Sequence, residues 1–435
     1  LPFDAEVYRA RRARVLAEMG AGVLVLATAP EVARNRDTHY PYRYDSYFWW
    51  LTGFAEPEAV VVLVAGDAPR QILFCREKNA DREIWDGFRH GPEAARTRFA
   101  FDDTFAIDQL DDELPKLLEN QSTLHYAIGH DPAWDARVLG WLNAARAKAR
   151  AGIRAPGTLL DARALLDEMR LLKDAGELDC MRRAADISAR AHLRAMRACR
   201  PGMGEWEIEA ELLCQMRKEG CQAPAYPPIV AGGANACVLH YVANDQRLAA
   251  GDLLLIDAGG EYDGYAADIT RTWPVSGRFT PAQKDVYEIV LAAQAAAIDA
   301  VRPGASWQAP HEAALRVLTR GMVDLKLLTG ELDGLIEQEA YKRFYMHRTG
   351  HWLGLDVHDA GEYKLNGEWR LLRPGMTLTV EPGCYIRAAD DVPTELWNIG
   401  IRIEDDVHVT DTGAEVLTAL APKSVAALEE AMRLD

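Results

Sequence analysis

The sequence predicts a two-domain α/β protein, α+β in its second part, with domains over residues 1–173 and 174–435. Three observations carry that prediction. The chain has 435 residues, well beyond the usual single domain of about 100–150. Its first ~170 residues alternate apolar runs of strand length with helical patterns. Further on, "GDLLLIDAGG" (251–260) and "GMTLTVEPGC" (375–384) superpose without a gap, as an internal repeat would.

The elements follow in order. "LPFDAEVYRARRARVLAEMG" reads as an amphipathic helix with basic residues and no apolar signal core. "GVLVLAT" (22–28), "AVVVLVAG" (59–66) and "QILFCRE" (71–77) are short apolar runs bounded by Gly, Pro and charge, the pattern of strands. "LDDELPKLLEN" and "DARVLGWLNAARAKARAG" carry helical spacing. The first domain ends near "AGIRAPGTLLDARALLDEMRLLKD". From Asp174 a long helix is predicted, capped by Asp174 with Glu177 three residues on and stopped by "RPGMGE". "WEIEAELLCQMRKEG" gives a second helix ending at Gly220.

Composition narrows the function classes. Hydrophobic residues make up 49% and charged residues 26%, an ordinary globular balance. A net charge of −17 with no polybasic run repels phosphate backbones and anionic membranes, so neither nucleic acid nor membrane is an expected partner. No segment reaches the roughly 18 apolar residues of a membrane span. Seven cysteines without a C-x-x-C argue for buried thiols in a reducing cytoplasm.

In the internal match, Asp257 aligns with Glu381 and Gly259 with Gly383. Chance likeness of two Gly-bounded strands is one reading; a duplicated half-domain whose copies each bring carboxylates to one site is the other. Asp257 closes the first strand, and Asp268 is expected inside a returning strand, "AADITRTWPV". Carboxylates that face each other across a hairpin repel, and a cation between them removes the conflict. Asp is also common near turns without any metal. Glu381 follows an apolar run, an unfavourable place for an unpartnered charge. Glu404 is expected in a strand, where its neighbours Arg402, Asp405 and Asp406 also fit a solvated face.

"HRTGHWLGLDVHDAG" (347–361) concentrates His347, His351 and His358, three of the chain's eleven histidines. Two Asp, two Glu and one His form a hard, oxygen-dominated set suited to two divalent metal ions, Mn²⁺ foremost and Co²⁺ or Zn²⁺ as alternatives. Two such ions can share a hydroxide and polarise a carbonyl, leaving the other histidines to carry protons or stabilise an oxyanion.

"LHY" with His240, "IDAGGEYDGYAADITRTWPV", "HRTGHWLGLDVHDAG", "TVEPGCY" and "IGIRIEDDVHVT" occur in that order. Together they resemble the M24 metallopeptidases of the pita-bread fold, most closely the aminopeptidase P group. "RNRDTHYPYRYDSYFWWLTGFAEPEAVVVL" also resembles that group's creatinase/prolidase-like first domain. The resemblance implies a pita-bread second domain with a pseudo-two-fold repeat, and metal ligands at Asp257, Asp268, His351, Glu381 and Glu404. It places catalytic histidines at His240, His347 and His358, with Glu381 as proton shuttle. Arg402, Tyr385 and Asp37 would support the site by hydrogen bonding. Tyr226 and Trp85 would shape apolar pockets, Trp85 from a neighbouring subunit. Arg348, a bulky cation between His347 and His351, departs from the expected pattern, and the sequence gives no account of it.

The implied activity is release of the N-terminal residue from Xaa-Pro peptides, in a cytoplasmic homo-oligomer (dimer or tetramer), by a hydroxide shared between the two metals. A prolidase acting on Xaa-Pro dipeptides is the nearest alternative, and a non-catalytic module on the same scaffold a more distant one.

Overall fold

The β-branched runs near the N-terminus form the centre of a six-stranded sheet. The computed structural model describes residues 2–433, and the chain divides into two units, the first ending at Met169 and the second beginning at Arg170. In the first unit, β1 (Gly22–Ala27), β2 (Val60–Ala65), β3 (Arg70–Cys75), β4 (Asp103–Ala106), β5 (Thr123–Tyr126) and β6 (Thr158–Asp161) lie in the order β4-β3-β2-β1-β5-β6. Only β2 runs against the rest. Val23, Val25, Val62, Ile72 and Phe74 are fully buried on this sheet. Their near-continuous apolar runs are what a sheet covered on both faces requires. The helices Leu110–Leu117 and Pro132–Arg146 cover it through Leu114, Val138 and Leu142.

The second unit starts with the helix Ala175–Ala198, N-capped by Asp174 in a reciprocal capping box with Glu177. The helix Glu205–Lys218 packs beside it. The strands β7 (Ile229–Gly232), β8 (Leu253–Asp257), β9 (Gly260–Tyr262), β10 (Tyr265–Ala266) and β11 (Thr270–Pro274) follow. β8 pairs antiparallel with β11, and β9 with β10. The chain then repeats the scheme. The helices Pro281–Ala300 and Ala309–Asp324 pack together. They precede β12 (Thr377–Val380), β13 (Gly383–Ile386), β14 (Ile399–Arg402) and β15 (Asp405–Val409), with β12 paired to β15 and β13 to β14.

The repeat seen in the sequence is therefore a repeat of topology: helix pair, long strand, carboxylate, glycine-led strand, return. Each outer pair, β8–β11 and β12–β15, is broken by an inner pair between its strands. Two expectations change accordingly. Asp268 and Glu404 are not in strands; each sits in the bend just before the returning strand, β11 or β15. At Asp268 the reason is a competing acceptor, since its backbone N–H donates to the Asp406 carboxylate at 3.1 Å. Glu404 does not belong to a solvated face either, because Arg402, Glu404, Asp405 and Asp406 are all buried. Asp405 is neutralised by Arg271 at 2.6 Å and Lys423 at 2.6 Å.

Among the described residues no helix is long and apolar enough to cross a membrane. All seven cysteines are free thiols.

Candidate metal centre and active site

The two halves of the second unit each present their carboxylates to one cleft of about 960 Å³, whose lining includes Asp257, Asp268, Glu381 and Glu404. One ligand atom from each of Asp268, His351 and Glu404 lies within 4.8 Å of the others. His351 Nε2 stands 3.4 Å from Asp268 Oδ2 and 3.5 Å from Glu381 Oε1. Its Nδ1–H donates to the Trp352 carbonyl at 2.9 Å, which fixes the tautomer and leaves Nε2 aimed at the carboxylates. This is the orientation a metal-ligating imidazole needs.

Glycines make the approach possible. A Cβ at Gly350 would overlap the Thr379 carbonyl, and one at Gly354 the Asp359 carboxylate. The segment carrying His351 therefore lies directly against the strand that leads to Glu381.

The electrostatics of the cluster are those of a cation site. Burial, followed by the Asp257 charge, lifts the Asp268 carboxyl to about 6. Burial lifts Glu381 to about 7. Glu404 is held well above the carboxylate range by burial and by the charges of Asp268, Glu381 and Asp257. Burial would lower the His351 imidazole, but hydrogen bonding to Asp268 and the Glu381 charge raise it to about 9. Asp257 is the exception. Burial raises it, yet Arg402 and the Tyr226 hydroxyl outweigh burial and hold it below its ordinary value. The donor set is hard and buried, and it lacks enough cationic charge of its own, so Asp268, His351 and Glu404 fit a divalent metal ion.

Loading metal must expel the proton that His351 holds near neutral pH. Calorimetry of Mn²⁺ binding in buffers of different ionisation enthalpy is expected to show net proton release at pH 7. Affinity is expected to rise between pH 6 and 9, the window of Asp268 and His351. Affinity that stays flat across that window would contradict this arrangement.

Around the cluster runs an ordered hydrogen-bond chain. Arg402, buried, donates from Nη2 to Asp257 at 2.6 Å, from Nη1 to the Tyr385 hydroxyl at 2.9 Å and from Nε to Thr270 Oγ1 at 3.1 Å. Thr270 donates on to Glu404 at 2.6 Å. Tyr385 lies 2.8 Å from His347 Nε2, while His347 Nδ1–H donates to the Arg348 carbonyl at 2.7 Å. Burial, then the Arg402 charge, lowers the His347 imidazole to about 3, so it is neutral and accepts from Tyr385 at Nε2. Both its ring nitrogens are thereby engaged. His358 stacks edge-on against His351 with centroids 4.3 Å apart, and burial and the His351 charge lower its imidazole. His240 lines the same cleft and is exposed.

Tyr226 lines the cleft but is more than an apolar wall. Its hydroxyl lies 2.6 Å from Asp257 and is also hydrogen-bonded to Asp268. Asp37 and Trp85 are placed elsewhere. Both are exposed on the first unit, Asp37 at the turn of the hairpin Ala33–Asn35/Thr38–His39 and Trp85 in the helix Ala80–Asp86 with 83% exposure. Neither is among the residues lining the cleft.

Two supports escaped the sequence reading. Glu205, fully buried, accepts from Gly232 N, Asn235, Tyr241 and Gln246 N, and so pins the loop carrying His240. Asp359 accepts from Arg170 at 2.6 Å and Lys173 at 2.8 Å, and pins the segment carrying His358.

Comparison with known proteins agrees with this geometry. Residues 179–411 match the model of metallopeptidase family M24, and residues 8–126 match that of the aminopeptidase P N-terminal domain. An Xaa-Pro aminopeptidase of Escherichia coli K12 is 43% identical over 429 residues, covering 98% of this chain and 97% of its own. One from Haemophilus influenzae is 42% identical with the same coverage. The solved aminopeptidase PepP of Pseudomonas aeruginosa superposes with a TM-score of 0.97 at 51% identity, covering 99% of this chain and 98% of that one. The fold and site define a metallopeptidase of pita-bread architecture. The chain belongs to metallopeptidase family M24.

Proposed function

We propose that the protein is an Xaa-Pro aminopeptidase, a hydrolase that releases the first residue of peptides with proline second. The observation that carries this is four carboxylates gathered with His351 in one cleft, in a chain 43% identical along nearly its whole length to an enzyme of that name. A zinc-substituted aminopeptidase P of E. coli, solved in complex with product, superposes with a TM-score of 0.96 at 42% identity. The cleft, about 960 Å³, is roomy enough to take a peptide.

Two divalent ions, Mn²⁺ in this reading, would polarise the scissile carbonyl and acidify water. The chain's own residues do the rest. An Xaa-Pro bond has no N–H and a fixed φ, so the site needs no acceptor there and receives the ring on an apolar wall. His240 and His358 donate to the carbonyl oxygen as negative charge develops on it. Glu381 takes a proton from the attacking water and returns it to the leaving proline nitrogen. His347, with both nitrogens engaged, holds Tyr385 and through it Arg402 in place. Trp85 would act from a neighbouring subunit of a cytoplasmic homo-oligomer.

The test is mass-spectrometric product analysis of Mn²⁺-loaded and chelated protein with an Xaa-Pro-Xaa peptide and an Xaa-Pro dipeptide. Metal-dependent release of the first residue from the longer peptide is expected; cleavage of the dipeptide alone would make the protein a prolidase. His358→Ala is expected to lower kcat about 10²- to 10³-fold with metal content unchanged. Unaltered turnover would remove it from the catalytic set.

A further inference from the structure

The cleft carries charge of both signs. Its carboxylates attract the free amine of a peptide, and its lining also includes Arg348 and Lys364. Both cations gather on the Trp369 indole, with the Arg348 guanidinium carbon 5.0 Å and the Lys364 ammonium 4.4 Å from the ring centroid. Trp369 and Lys364 are cross-strand partners in the hairpin Lys364–Leu365/Glu368–Trp369, so the ring and its lysine are held in register. Arg348 is steadied by a hydrogen bond to Gln308 Oε1. Among the described residues neither cation forms an ion pair with a carboxylate, although the chain carries a net charge of −17. A guanidinium has five N–H donors, and one of them goes to Gln308. Two like charges gathered on one aromatic ring, with donors to spare, form a receptor for an anion.

The substrate's chemistry says which anion. Hydrolysis holds the amine and the scissile bond near the carboxylates. Beyond proline each residue extends the chain by about 3.3–3.6 Å. The one further formal charge that every short peptide carries is its C-terminal carboxylate. We propose that Arg348, Lys364 and Trp369 form a cationic subsite of the cleft that binds a carboxylate of the peptide downstream of proline. The proposal rests on the aminopeptidase reading and gives Arg348 its role. The carboxylate can come from the C-terminus of a tripeptide or from an acidic side chain in a longer peptide.

Initial rates on the Mn²⁺-loaded full chain separate these sources. Ala-Pro-Ala is compared with its C-terminal amide, and Ala-Pro-Glu-amide with Ala-Pro-Gln-amide, for wild type and for Arg348→Gln/Lys364→Gln. Removing the carboxylate is expected to raise KM roughly fivefold in wild type and to have little effect in the double variant. The arm that shows the difference identifies the source. Calorimetric binding of the product-like dipeptide Pro-Ala, expected to weaken to the same degree in the variant, reads the subsite without turnover. If wild type cleaves none of these peptides, the aminopeptidase reading falls and Pro-Ala binding alone decides the subsite. If the KM ratios and Pro-Ala binding are the same in wild type and variant, the subsite does not exist.

Discussion

Glu404→Ala is expected to strip the centre of metal and lower kcat/KM about a thousandfold or more. Glu404 is 1% exposed, reaches into the cluster with Asp268 and His351, and is held there by Thr270. The substitution carries a second, opposite signature. Without metal, burial first and then repulsion by the charges of Asp268, Glu381 and Asp257 hold Glu404 well above the carboxylate range. Removing one relieves that repulsion, so the chelated variant is expected to melt no lower than chelated wild type. Chelation lowers the Tm of wild type by several degrees, because the folded state alone binds the ions, and has little effect on the variant. Elemental analysis with paired melting curves checks both halves; full metal content in an active variant would refute the assignment.

Arg402→Met tests the frame rather than the ligands. It leaves Asp257 buried and without its guanidinium partner, a loss of about 3–5 kcal/mol for a broken buried pair. The same change frees Tyr385 and Thr270 at once. Destabilisation is expected to be largest in chelator, where nothing else offsets the Asp257 charge, and smaller with metal bound. In chelator, Arg402→Met/Asp257→Asn is expected to recover much of the lost stability. Urea midpoints of the four combinations measure this, and equal losses with and without metal would show that Arg402 does not share its burden with the ions.

Much of this centre could be read from the chain. Asp257 and Glu381 stood out because a carboxylate ending a buried apolar strand is costly without a partner, and because two such strands matched in register. The histidines stood out by crowding. Asp268 and Glu404 were legible as members of the carboxylate cluster but misplaced as strand residues, since the bend before each returning strand depends on what accepts the backbone N–H. At Asp268 that acceptor is Asp406, 138 residues away. Glu205 and Asp359 were not legible at all. Their partners lie 27–41 and 186–189 residues distant, and no local periodicity encodes such a bond. Asp405 and Asp406 looked like surface charge for the same reason, because Arg271 and Lys423, which neutralise Asp405, come from elsewhere in the chain.

The divided origin of the carboxylates bears on when the protein becomes dangerous. Asp257 and Asp268 come from the first half-repeat, Glu381 and Glu404 from the second, more than a hundred residues later. A nascent chain leaving the ribosome has only half of the centre between the synthesis of Asp268 and that of Glu381. Products terminated before Glu381 keep at most two of the four acids, and those terminated before Glu404 at most three. The complete set of four acids is thereby withheld until the second half-repeat has been made.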